Sequence, residues 1–288
     1  MFKALKTQAR AFLKSELIGP VTIGIGLDAA GPRLEQLYQR LQKALPEHGI
    51  ALQVYCSAAV VPDVVIPEGI TLVTTNEPEK AMIADLASHR VSGIVRGQGS
   101  SSKFLQEMKD KFAIDRLYRC ALLATRGNYQ FFFSPVGIDE GNDFDDKRAF
   151  VVLISALLSK LGIVPSFYLL SAGRVDDAGR DPRIKASIEG TAALVDELKA
   201  GDEQLSIVHG EILIENAEAS GANVIIAPDG VSGNLIYRTL IHLGEGHSYG
   251  AYYLNPELPG PVMDTSRVGP IEEYVGAIVL AARLLAKP

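Results

Sequence analysis

Cysteine is nearly missing from this chain: its 288 residues hold only Cys56 and Cys120. The two lie far apart and make no Cys-x-x-Cys pair, which argues against a disulfide framework and for reduced cytoplasmic thiols packed as small core residues. A long apolar run is also missing. The strongest, around Gly276 to Leu285, is interrupted by Arg283 and falls short of the roughly 20 residues a membrane-spanning helix needs. There is no basic excess, because net charge is −6 with Lys and Arg scattered among acids. No broad positive field awaits a nucleic acid. The five histidines show no His-x-x-x-His or HExxH spacing, and no GxSxG elbow marks a serine hydrolase. Gly24-Ile25-Gly26 lacks the third glycine of a dinucleotide fingerprint, which sets NAD aside.

What is present is ordinary globular composition, 47% hydrophobic and 22% charged, at a length that suits two medium lobes, each with its own core. The N-terminus carries Lys3, Lys6, Arg10 and Lys14 before its first acid, Glu16, as organelle transit peptides do. An amphipathic helix with Phe2, Leu5, Ala9, Phe12 and Leu13 on one face accounts for the same residues.

After Pro20, short β-branched runs alternate with amphipathic stretches, the pattern of βαβ units around a mostly parallel sheet. Strands are expected at VTIGIG, ALQVYC, ITLVTT, VSGIVRG, SFYLLSA, ILIENA, NVIIAPD and AYYLN. Helices are expected from Pro32, over 79–89, 102–112, 147–161, 184–198 and 234–243, and from Pro270. YRCALLAT and YQFFFSPV flank Arg126-Gly127-Asn128, a turn too short for a crossover, so they read as an antiparallel hairpin. The expected class is α/β and two-lobed, with mostly parallel sheets flanked by helices. Residues 1–138 and 258–288 would form the first lobe and 139–257 the second, with a ligand cleft between them. The acidic loop with Asp139, Glu140, Asp143, Asp145 and Asp146 would be the first crossing; it lacks the EF-hand order of ligands, so no metal is assigned.

Four loops at expected strand ends, where open α/β sheets bind ligands, suit an anion. In DTSRVGP, Ser266 and Arg267 precede a helix opened by Pro270, a hydroxyl and a guanidinium beside unpaired N–H groups. The same segment also reads as a Ser cap with a surface Arg. In VRGQGSSSK, Arg96, Ser100, Ser101, Ser102 and Lys103 join a strand to a helix without the Walker order of Gly, Lys and Ser or Thr; a capped turn is the other reading. In APDGVSGN, Asp229 and Asn234 bracket Gly230 and Gly233 and would line the cleft; the other reading makes Asn234 only a helix cap. In LLSAGRVDDAGRDPR, Arg174, Arg180 and Arg183 alternate with Asp176, Asp177 and Asp181, a ligand site or solvated ion pairs.

At these residues the chain resembles the phosphate acetyl/butyryltransferase family, from about Val91 to the C-terminus and in the same order. Pro228, Asp229, Gly233 and Asn234 match its PD-x-x-x-GN segment; Ser266 and Arg267 match its substrate-binding Ser-Arg pair; Val91, Ser92 and Gly93 match its VSG strand. The resemblance implies a two-lobed dimer acting on CoA or acyl phosphate as substrate; no cofactor is assigned. Lys103 stands where the family has Arg, a point charge in place of a fork. Glu273 falls at its catalytic Asp, expected to take the proton from a thiol. A narrower resemblance joins VRGxxSSSK, SPVGIDEG, LLSAGR, IIAPDGVSGNLIYRTL and DTSR to the methanogen branch called MtxX, or methanogenesis marker protein 4, whose name implies methyl transfer. The two expectations are therefore an acyl- or phosphoryl-group transferase and a methyltransferase-associated subunit with a protein partner. A decarboxylating dehydrogenase would need metal-binding aspartates that the sequence does not cluster.

Overall fold

The structure is a computed structural model that describes residues 1–7, 21–27, 32–44, 50–57, 66 and 68–285. The chain divides into two compact units, Met1–Leu117 with Tyr249–Pro288, and Tyr118–Ser248.

The first unit holds strands β1 (Val21–Gly26), β2 (Ile50–Ser57), β3 (Ile70–Thr75), β4 (Gly93–Val95) and β11 (Val262–Asp264), with β10 (His247–Tyr253) entering it from the second. They lie in the order β3-β2-β1-β4-β11-β10. All neighbours are parallel except β10 and β11. Its helices are α1 (Pro32–Ala44), α2 (Pro78–Ala87), α3 (Ser101–Phe112) and α7 (Ile271–Leu285). The short strands β4 and β11 are mostly apolar because a parallel sheet buries both faces: Ile94, Val95, Val262 and Met263 are all buried. Phe104 and Met108 lie one helical turn apart on α3 and drop into a core with Tyr55, Met82, Leu86 and Tyr253, as an amphipathic stripe dictates. Leu5 is buried and Phe2 stacks on Tyr249 with ring centroids 4.0 Å apart. The other positions expected on that N-terminal face, Ala9, Phe12 and Leu13, lie outside the described residues.

In the second unit the strands are β5 (Arg119–Ala124), β6 (Gln130–Ser134), β7 (Ser166–Leu170), β8 (Ser206–Glu211) and β9 (Val224–Ile226), ordered β5-β6-β9-β7-β8. Only β5 and β6 pair antiparallel, the hairpin expected from its short turn. Helices α4 (Phe144–Lys160), α5 (Pro182–Gly201) and α6 (Gly230–His242) complete it. Each opens on an aspartate whose carboxylate accepts a backbone N–H of the first turn: Asp143, Asp181 and Asp229. Such caps satisfy donors that no helical carbonyl can reach.

Two expectations are corrected. The division falls at Tyr118 and Tyr249, not at 139 and 258, because β6 pairs with β9 and carries the whole hairpin into the second unit. ILIENA is not a strand. Ile214–Asn216 is a 3-10 turn, and the strand is the preceding Ser206–Glu211. Among the described residues, no helix is long and apolar enough to cross a membrane.

Candidate functional site

In the first unit the chain leaves β4 at Arg96 to enter α3, and leaves β11 at Asp264 to enter α7. Val262 pairs with Ile94 and Met263 with Val95 in parallel. Both loops therefore emerge at neighbouring strand ends, where open α/β sheets place their ligands.

Arg96 ties the two loops together. Its buried guanidinium donates to Asp264 Oδ1, to Gly99 O at 2.8 Å and to Thr265 O. A planar fork meets three acceptors where an ammonium would not. Thr265 Oγ1 donates to Gly97 O at 3.3 Å, and Tyr253 donates its hydroxyl to Asp264 Oδ2 at 3.3 Å. Gly97 sits at φ +61°, and a Cβ there would come within 2.0 Å of Gly26 O. Only glycine lets β1 and this loop approach so closely.

The backbone donors at each loop go to a carboxylate of the protein itself. Ser100 N–H donates to Glu79 Oε1 at 2.6 Å, and Glu79, on α2, is buried. Ser266 N–H donates to Glu273 Oε1 at 3.0 Å, and Glu273 is 1% exposed. Tyr274 OH donates to Ser266 O at 3.1 Å and Arg267 O at 3.2 Å, fixing the same turn. These carboxylates stand where a phosphate rests at other helix N-termini.

Of the expected site residues, Ser101, Ser102, Lys103 and Arg267 are exposed, and Ser100 and Ser266 are half-buried. Arg96 is a brace between loops. Glu273 supports the Ser266 turn, with its carboxylate turned inward. The loops of Lys103 and Arg267 are adjacent, yet Lys103 borders a cavity of about 380 Å³ with Glu77, Glu79, Lys80, Ser102 and Gln106. Arg267 is not in its lining, because Lys103 on the first turn of α3 faces α2. Lys103 thus borders a cavity whose wall carries Glu77 and Glu79.

In the second unit, Asp229 caps α6, accepting from Ser232 N–H at 2.8 Å and its hydroxyl at 3.1 Å. Asn234 Nδ2 donates to Val136 O at 2.8 Å, and a Cβ on Gly233 would lie 2.1 Å from Pro135 O. The PD-x-x-x-GN residues therefore dock α6 onto the chain leaving β6. Arg174 is exposed, its N–H held by Asp177 Oδ2 at 3.1 Å. Arg180 pairs with Asp177 at 3.0 Å and Arg183 with Asp181 at 3.2 Å, the solvated ion pairs that were the alternative for that loop. The acids before α4 have separate duties: Glu140 binds Arg119, Asp146 accepts from Tyr118, and Asp145 pairs with Arg148.

One residue of evident chemical potential was missed. Lys147, on the first turn of α4, is 5% exposed, and its Nζ lies 4.5 Å from the Phe144 ring centroid. Burial pulls its pKa down to about 8, against the charges of Asp229 and Asp143, which hold it up. It borders a cavity of about 470 Å³ with Asp143, Asp181, Ser187 and Asp229. The available signal was a basic residue in the first turn of a helix, where the macrodipole favours acids.

No protein-family model matches the chain. In sequence it is 39% identical over 220 residues, 76% of each chain, to a Methanosarcina mazei protein named "Putative methyltransferase mtx subunit X". It is 33% identical over 217 residues, 73% of this chain and 86% of the other, to an uncharacterized methyltransferase of Methanocaldococcus jannaschii. In fold it is similar to a branched-chain phosphotransacylase from Enterococcus faecalis, with TM-score 0.69 and 17% identity over 93% of this chain and 100% of that one. A phosphotransacetylase from Streptococcus pyogenes gives TM-score 0.66 and 14% identity over 98% of both. A 4-hydroxythreonine-4-phosphate dehydrogenase from Klebsiella pneumoniae gives 0.58 at 8% over 92% and 99%. Those identities establish the fold alone, a mostly parallel α/β sheet flanked by helices. The family follows from the methanogen sequences: at 39% identity over 76% of its length, the chain belongs to the mtx subunit X family.

Proposed function

We propose that this protein binds a phosphorylated or CoA-type small molecule in its first unit, on the loops of residues 100–103 and 266–267, as a transferase-type member of the phosphotransacylase fold. The observation that carries this reading is the Arg96 brace, which holds two loops side by side at parallel strand ends and leaves the Ser266 hydroxyl and Arg267 outside it. A guanidinium beside a hydroxyl suits a phosphate oxygen. In the finer form, an acyl phosphate lies on Ser266 and Arg267, and fixed donors stabilise charge as it develops on the carbonyl oxygen. Thiol deprotonation then falls to Glu273, which must turn from Ser266 N–H toward the thiol.

The inward position of Glu273, with the name of the relatives, favours a second reading: a subunit that keeps the fold, binds its ligand and serves a methyltransferase without acyl transfer. Calorimetry with CoA, acetyl phosphate and inorganic phosphate, run beside an assay of phosphate-dependent CoA release from acetyl- and butyryl-CoA, separates the two. Binding and turnover, both lost in Arg267→Ala, are expected for the first reading. Binding without turnover, together with co-purification of a corrinoid protein, selects the second. Absence of binding to all three ligands ends both.

A further inference from the structure

We propose that Lys147 marks a second ligand site, contained within the second unit, for a short carboxylic acid bearing a hydroxyl or amino donor beside its carboxylate. The site owes nothing to the loops of the first unit. Its lining comes from the loop after β7 (Ala172), the loop after β9 (Pro228, Asp229), and the starts of α4 and α5. The cavity, an open one of about 470 Å³, is within the size range of small-molecule pockets.

The ammonium of Lys147 offers three donors. The side chain is 5% exposed, and among the described residues no hydrogen bond or ion pair reaches Nζ; its contact is the face of Phe144. Burying a charge without a partner is costly, and an arriving oxygen acceptor removes that cost. A carboxylate supplies it.

The surrounding charges narrow the ligand further. Asp143 and Asp229 act on Lys147 through space, and Asp181 and Arg183 complete the charged lining. Three carboxylates against two cations disfavour a dianion such as phosphate. The helix starts are also closed to it, since each aspartate already caps its own helix. A carboxylate has about four acceptor sites, so Asp229 can still accept a donor after holding Ser232. A molecule with a monoanionic carboxylate for Lys147 and an adjacent O–H or N–H for Asp229 meets the groups on this wall that still have bonding capacity, since Arg183 already pairs with Asp181.

The test uses the full chain with lysine labelled at 13Cε, in which the Lys147 resonance is assigned by its disappearance in Lys147→Arg. Lactate, alanine, propionate and inorganic phosphate are titrated in turn at constant ionic strength. Lactate or alanine is expected to shift the resonance and raise its midpoint by about one pH unit or more, as an opposite charge in contact does. Affinity should be about tenfold above propionate and phosphate, and about tenfold lower in Lys147→Met. The proposal is overturned if no acid moves the Lys147 signal, if phosphate binds as well as lactate, or if propionate equals both donor-bearing acids. The wild-type spectra decide these outcomes even where the Met variant fails to fold.

Discussion

The two units handle helix N-termini with the same chemistry and arrive at opposite results. In the first, Glu79 reaches across from α2 to take Ser100 N–H before α3, and Glu273, on the first turn of α7 itself, reaches back to take Ser266 N–H. In the second, the caps are local aspartates one residue before each helix, and a cavity remains in front of them with a buried lysine on its wall. A long-range cap spends a helix terminus on joining elements. A local cap leaves the space ahead of it open. The contrast teaches that a capped N-terminus is a joint unless a buried cation beside it is left without a hydrogen-bond or ion-pair partner.

The largest expected effect would break the first half of that contrast. Arg96→Met strands Asp264 in a buried position, so unfolding free energy from denaturant titration should fall by about 3–5 kcal/mol. Gly97→Ala combines a left-handed backbone with a clash against Gly26 O and should cost about 2–4 kcal/mol by the same measurement. Lys147 sharpens the other half. Its folded pKa, near 8, lies below its ordinary 10.5, so between those values the unfolded chain holds a proton that the folded chain has released. Stability must therefore rise with pH across that window, by on the order of 3 kcal/mol relative to Lys147→Met. The curves are compared from pH 7 to 11, and a flat difference refutes the burial. At pH 7 the Met variant should be more stable than wild type by about 1–3 kcal/mol, although it loses the ligand. The smallest effect is Glu273→Gln: an amide oxygen still accepts from Ser266 N–H, and the loss should be about 1 kcal/mol.

Most of the fold was legible because parallel strands are short, apolar and buried on both faces, and the amphipathic helices between them, such as α3, carry their stripes at regular spacing. β8 was not. It is an edge strand pairing only with β7, half-exposed along its length, so its alternation is broken by Ser206, His209 and Gly210. The apolar Ile212, which lengthens the apolar run beyond the strand's true end, is 49% exposed in a turn. Arg96 was visible as a cation near a glycine-rich loop, but its task depends on Asp264 and Thr265, far along the chain. Glu79, Glu273 and Lys147 share that reason: each looks like a solvated charge at a helix start, and only tertiary packing buries it. The start of α6 was expected at Asn234, but the helix begins at Gly230, so the cap falls on Asp229.

The first unit is built from two separate stretches of chain, while residues 118–248 form the second without interruption. During synthesis, at roughly 5–20 residues per second, the second unit leaves the ribosome whole. One edge of β4, meanwhile, waits unpaired for β11. An open edge is a site for wrong pairing. Translation stopped just before Pro261 would therefore release a finished second unit on a chain whose first sheet still lacks β11.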